Sequence, residues 1–287
     1  MRFAHVRPED ALPPRLVTVR DGEAVFVGEL FDGAPDSLQR LIEGGADMLE
    51  RVRAAVPAAP ATPLDPLRFA SAVLDPPVVL AVGLNYAAHS GELGLRADNT
   101  PIVFVLWPNS LTGHEQITSW PRSLSEAVDY EAELGVIIGK AAKDVSAADA
   151  LRHVWGYTVV NDITARNIQF SEAQWSRCKS FDGFTPTGPF VVTADEVEDP
   201  QDLHIWTVLD GQRVQDASTA QMIRPVATLI AQLSQSATLM PGTLISTGSP
   251  GGAGYSRDPQ IFLRDRSTVT VGIDGVGELT THCRIRD

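Results

Sequence analysis

The chain has 287 residues, 44% hydrophobic and 21% charged, the balance of a globular protein with room for one large domain and an appendage. Its net charge of −13 argues against a nucleic-acid partner, because phosphate binding needs a basic face. A small anionic substrate stays compatible, since a metal and a few local cations reverse the field within one cleft.

Two cysteines, Cys178 and Cys283, are too few for a disulfide framework. No apolar run approaches the roughly 20 residues that span a bilayer, and the N-terminus lacks the apolar core of a signal peptide. The expectation is a cytoplasmic protein with neither a nucleic-acid nor a membrane partner.

In chain order, Leu16–Val19 and Glu23–Val27 read as strands joined by an Asp21-Gly22 turn, a strong hairpin signal. Apolar residues at near-helical spacing predict a helix from about Ser37 to Val56. A Pro/Ala-rich connector, Ala58–Pro66, then marks a boundary near residue 70. This predicts a small N-terminal α+β domain over 1–70 and a catalytic domain over 71–287. The second part carries many predicted strands: Val78–Val82, Val128–Ile138, Tyr157–Val160, Phe190–Val192, Leu203–Leu209, Thr243–Thr247 and Thr268–Ile273. Helical patterns are confined to Ala147–His153 and Met222–Ser234. The fold class is therefore mixed α/β, mostly β.

The chemistry begins at Val128-Asp129-Tyr130-Glu131-Ala132-Glu133-Leu134. In a strand, alternate residues share a face, which puts Asp129, Glu131 and Glu133 on one side. Carboxylates crowded beside an apolar core need protons or a cation, and an all-oxygen set suits Mg²⁺, Mn²⁺ or Ca²⁺ better than zinc. The alternative is a solvated outer face on an edge strand. A second apolar run, Trp155–Asp162, ends in an acid that either caps a turn or supplies a third ligand. Arg166 and Gln169 follow at one-turn spacing, and Arg166 suits either a substrate carboxylate or a surface ion pair.

Three further segments carry candidate groups. In Gly83-Leu84-Asn85-Tyr86-Ala87-Ala88-His89-Ser90-Gly91-Glu92, one helical turn would let Glu92 reach His89, giving either an oriented general base or a casual surface pair. Arg177–Pro189 is loop-like and holds Lys179, which is either solvated or placed to stabilise an enolate. The turn after Thr243–Ser246, with Thr247, Gly248 and Ser249, offers hydroxyls and backbone N–H groups for anionic oxygens, or serves only as a tight turn.

Taken together and in this order, these segments resemble the fumarylacetoacetate hydrolase family. The resemblance rests on Gly83-Leu84-Asn85-Tyr86 with His89 and Glu92, Asp129–Leu134, Asn161–Arg166 with Gln169, Lys179–Asp182, Gly188-Pro189 and Thr247–Pro250. It spans roughly residues 72–285. It implies a β-roll-like catalytic domain behind a small leading domain, in a homodimer. It also implies Mg²⁺ or Mn²⁺ on Glu131, Glu133 and Asp162, with Ca²⁺ as a substitute. The catalytic His–Glu pair falls on His89 and Glu92, on a segment that often orders as a lid, with Lys179 as a further catalytic group. Substrate contacts fall on Tyr86, Arg166, Gln169, Thr247 and Gly248. The expected activity is hydrolysis of a C–C bond in an acylpyruvate-like 1,3-dioxo acid. Decarboxylation or isomerisation of an oxaloacetate-like acid, or metal binding without catalysis, are the alternatives. Leu106 stands where similar chains often carry Lys, so it and Trp107 either pack in the core or line a more apolar pocket.

Overall fold

A computed structural model describes residues 1–8, 13–92 and 100–287. Asp21 and Gly22 both have positive φ, 52° and 80°, as a two-residue hairpin turn of this kind requires. They join strands Arg15–Arg20 and Glu23–Phe26. The predicted helix from Ser37 is two helices, Leu38–Glu43 and Gly45–Ala55. The break falls at Gly44-Gly45, where Gly45 takes a φ of 66° that no helix interior allows. The expected helix start at Met222 moves to Val226, directly after Pro225.

Mixed α/β, mostly strands, is the observed architecture. The main sheet runs Thr62–Pro63, Glu23–Phe26, Arg15–Arg20, Arg2–Arg7, Thr185–Thr193, Val154–Asn161, Ala132–Ile138, Leu244–Ser246, Val79–Gly83, Ile102–Leu106. Arg2–Arg7 pairs with Thr185–Thr193, so the N-terminal strands continue the same sheet across the boundary expected near residue 70. Phe3, Leu16, Leu41 and Val52 also share one apolar cluster with Val79, Phe104, Ile137 and Leu244.

A second sheet runs Gln212–Ser218, His204–Leu209, Thr268–Ile273, Gly277–Arg286, Gln116–Pro121. It covers the other face of the first. Leu134, Val136 and Ile138 meet Ile205, Val271 and Leu279 there, with Leu229, Ile230 and Leu233 of the helix Val226–Ser236. Burial on both faces explains why Ala132–Ile138 reads as a nearly unbroken apolar run. Period-2 alternation then sets Glu133 on the face of Ile137, opposite Leu134 and Val136. Where Ala132–Ile138 pairs with Val154–Asn161, Ala132 sits opposite Asn161, and this register brings Glu131 beside Asp162.

Candidate active site and metal centre

The strand expected to run unbroken from Val128 is interrupted at Tyr130-Glu131. Val128–Asp129 pairs instead with Thr164–Ala165, and Ala132 starts the long strand. The cause is local side-chain bonding that competes with the ladder. Asp129 accepts from the N–H groups of Tyr130 (2.9 Å), Gly254 (2.8 Å) and Tyr255 (3.0 Å), while Glu131 N–H donates to Asn161 Oδ1 at 3.1 Å. Asp129 therefore leaves the row of carboxylates predicted from strand periodicity and pairs with Arg166, at 2.8 Å from both Nε and Nη2.

The remaining acids converge. Ligand atoms of Glu131, Glu133 and Asp162 lie within 4.8 Å of one another, all three residues buried. Glu131 meets Arg166 Nη2 at 2.8 Å and Lys179 Nζ at 2.7 Å, and Lys179 also donates to Asp162 at 2.5 Å. Glu133 accepts from the Ser246 hydroxyl at 2.6 Å and Gly248 N–H at 2.8 Å. Asp162 Oδ1 is buried with no hydrogen-bond partner. A buried carboxylate oxygen left bare, aimed into a cluster of two more acids, is what an oxygen-coordinated divalent cation would satisfy.

The protonation of the cluster points the same way. Burial, with Asp162 and Glu131 close by, holds Glu133 well above the ordinary carboxylate range. Burial also pushes Asp162 up to about 6 against the pull of Lys179. Glu131 experiences the same burial, but Lys179, Arg166 and His89 outweigh it and hold it well below the ordinary value. One group of acids thus keeps protons that a cation would displace.

His89 and Glu92 lie on a short helix, Ala87–Glu92, as their spacing predicted. His89 Nε2 is 3.4 Å from Glu131 Oε1, so the imidazole faces the carboxylate cluster. Its Nδ1 is 3.7 Å from Glu92 Oε2, longer than a hydrogen bond, and Glu92 instead accepts from Gly252 N–H at 2.8 and 3.1 Å. Burial disfavours the imidazolium, yet Glu131 and Glu92 outweigh it and raise His89 above its usual value. Residues 93–99, into which the expected lid continues, lie outside the described residues.

Lys179 is the last residue of a helical turn, Ser176–Lys179, and is buried rather than solvated. Arg166, also buried, is held by Asp129, Glu131 and, through Nη1, Gln169 at 2.9 Å. Thr247 turns its hydroxyl to the Leu134 carbonyl at 2.9 Å, and Gly248 gives its N–H to Glu133. The anionic oxygen that this turn binds is therefore the protein's own carboxylate. Tyr86 is buried in the inter-sheet core, with an unpartnered hydroxyl that burial keeps protonated.

One small cavity joins these groups. It is lined by His89, Glu131, Glu133, Asp162, Gln169, Lys179 and Ser249 on one side, and Val82, Gly83, Leu84, Phe104 and Trp175 on the other. Its free space for a water-sized body is about 10 Å³, room for roughly one water or ion. A far larger surface groove, about 890 Å³ along Leu64–Phe69 and His114–Ile117, gathers no comparable cluster. Phe104 and Trp175 escaped the sequence reading, because a core aromatic and a cavity-wall aromatic look alike until the fold is known. Leu106 packs in the core and Trp107 is largely exposed, so neither lines the cavity.

Comparison with known proteins fits this geometry. A relative from Burkholderia ambifaria, carrying only the provisional name of a hydrolase, is 45% identical over 201 residues, 69% of this chain and 71% of its own. The structure of fumarylacetoacetate hydrolase from Exiguobacterium antarcticum is 33% identical and superposes over all of both chains with a TM-score of 0.87. Maleylpyruvate hydrolase from Sphingobium sp. SYK-6, solved with manganese(II) and pyruvate, is 27% identical with a TM-score of 0.84, again over both whole chains. The model of the fumarylacetoacetate hydrolase C-terminal domain matches residues 78–284, the segment that holds every carboxylate, imidazole and ammonium lining the cavity. The chain belongs to the fumarylacetoacetate hydrolase family, whose solved members include enzymes.

Proposed function

We propose that this protein is a metal-dependent hydrolase that cleaves the C–C bond of an acylpyruvate-like 1,3-dioxo acid. The observation that carries the reading is the convergence of Glu131, Glu133 and Asp162 within 4.8 Å, beside His89 and Lys179 in one cavity. Glu131, Glu133 and Asp162 would hold Mg²⁺ or Mn²⁺, with Ca²⁺ able to substitute. When bound, such an ion supplies Lewis acidity toward a chelating dioxo acid.

The side chains do the rest. His89, its basicity raised by its two carboxylate neighbours, takes a proton from water. Glu92, 3.7 Å from Nδ1, favours the protonated ring by its charge. The hydroxyl adds to the acyl carbonyl carbon, and the bond to the neighbouring methylene breaks. The electron pair leaves as pyruvate enolate, whose charge the Lys179 ammonium opposes. His89 returns its proton to that carbon, giving pyruvate and one carboxylic acid. Lys179 serves this role because burial fails to neutralise it: Asp162 and Glu131 hold its pKa above the ordinary lysine value. Arg166 positions Glu131 in this reading and Gln169 steadies Arg166, while Gly248 holds Glu133, Thr247 anchors the turn to Leu134 and Tyr86 packs in the core behind them. The homodimer and cytoplasmic location belong to the same proposal, and light scattering and cell fractionation check them.

The deciding experiment incubates metal-stripped protein with acylpyruvates and with oxaloacetate, with and without Mg²⁺ or Mn²⁺. Metal-restored release of pyruvate and a second carboxylic acid is expected. CO₂ release from oxaloacetate alone would replace hydrolysis by decarboxylation, and turnover that survives chelation would overturn the metal role.

A further inference from the structure

Resting on the hydrolase reading, we infer that Phe104 and Trp175 form an aromatic wall that selects substrates whose acyl arm is apolar or aromatic rather than carboxylate-ended. The cavity has two unlike sides. Its chemical side holds three acids, His89, Gln169, Lys179 and Ser249, and its other side is Val82, Gly83, Leu84, Phe104 and Trp175. The two rings meet edge to face, with centroids 5.7 Å apart and planes at 71°. That arrangement makes one apolar corner.

Three details fix the corner against the reacting groups. Lys179 Nζ lies 5.5 Å from the Phe104 centroid, so the ring borders the ammonium itself. Trp175 caps the turn that ends in Lys179, which sets the two residues four apart on one element. Gly83 lets the indole settle onto the strand end, since a Cβ there would lie 2.4 Å from the Trp175 ring. Phe104 is buried, whereas Trp175 is half-buried and can shift. With room for only about one water beside the acids, an acyl arm enters by displacing this ring or the Ala87–Glu92 helix.

Charge disposes the same way. Among the described lining residues the lysine is already shared by Glu131 and Asp162, and Arg166 behind them by Asp129, Glu131 and Gln169. A second carboxylate on the substrate would lose water against Phe104 and Trp175, with no arginine or second lysine among the cavity-lining residues to receive it. An aryl or alkyl arm would replace water on both ring surfaces.

The test compares benzoylpyruvate with maleylpyruvate as substrates of the Mg²⁺-loaded enzyme. Wild type favours benzoylpyruvate in kcat/KM, and Trp175→Ala lowers that preference by about 10–100-fold, mainly through KM. Trp175→Phe keeps most of it, which separates loss of the wall from loss of folding. Calorimetric binding of phenylpyruvate and oxaloacetate to the same proteins supplies a readout independent of turnover. Tighter phenylpyruvate binding that Trp175→Ala abolishes supports the wall even if neither dioxo acid is cleaved, in which case only the hydrolase reading falls. A preference for maleylpyruvate and oxaloacetate in wild type, or a ratio unmoved by Trp175→Ala, would overturn it.

Discussion

The two halves of the active site are built to different standards. The acidic half stands on strand ends inside the double-sheet core, and each of its acids is held by at least one side chain or backbone donor from another element. The imidazole half stands on a six-residue helix, held before its start by Asn85 on Arg224 and Thr247 and at its end by Glu92 on the Gly252 N–H. A binding centre for a charged species needs fixed geometry, whereas a group that must admit substrate needs a support that gives. Perturbing the acidic half should therefore damage fold and function together, and perturbing the imidazole half should damage function alone.

The largest effect is expected from Glu131→Ala. It takes one carboxylate from Arg166 and one from Lys179 at once, so turnover falls to background and the metal-free protein loses about 3–5 kcal/mol, as for other broken buried pairs. Assay and thermal melting check both. A fully stable variant would mean that Asp129 and Asp162 alone suffice for the two buried cations. His89→Ala should lower kcat by about 10²–10⁴-fold with the melting temperature nearly unchanged. Loss of stability comparable to that of Glu131→Ala would erase the contrast between the halves.

Gly252→Ala probes the tether. Gly252 sits at φ 96°, and a Cβ would lie 2.4 Å from the Val214 carbonyl oxygen, so the peptide must shift and Glu92 loses its donor. A drop of about 10–100-fold in kcat is expected, the usual cost of disturbing a supporting partner. Faster hydrogen exchange over 87–92 should accompany it, and unchanged exchange would show that Gly252 does not hold the helix.

The smallest effect is on pH dependence. Glu133 and Asp162 are raised, so the metal-free site is protonated at pH values where free carboxylates are not. A cation must displace those protons, and its affinity therefore rises as pH rises through about 6, where burial places the Asp162 carboxyl. Calorimetry in buffers of different ionisation enthalpy should find more protons released per Mn²⁺ at pH 6 than at pH 8. Equal release would mean that the carboxylates are already bare.

Much of both halves was legible in the chain because the signals are local. Glu131 and Glu133 are two apart beside an apolar run, Asp162 ends another, and His89–Glu92 has helical spacing. Asp129 was placed wrongly on the same ground. Strand periodicity assumed an unbroken ladder, and the competing bonds to Gly254 and Tyr255 come from 125 and 126 residues away. Phe104 and Trp175 were invisible as a wall for the same reason: the edge-to-face contact joins an edge strand to a helical turn 71 positions later. The Gly44-Gly45 break was readable from the glycines but lost to the apolar spacing on either side.

The central claim is that Glu131, Glu133 and Asp162 together hold one divalent ion. Titrating Mn²⁺ into wild type and Glu133→Gln, with free Mn²⁺ followed by electron paramagnetic resonance, tests it most directly. The glutamine keeps the shape of a side chain that burial beside Asp162 and Glu131 biases toward its neutral form, so folding is little disturbed while the carboxylate is gone. One Mn²⁺ per chain in wild type and none at the same concentration in the variant is the predicted result. Equal stoichiometry and affinity in the two proteins would contradict it.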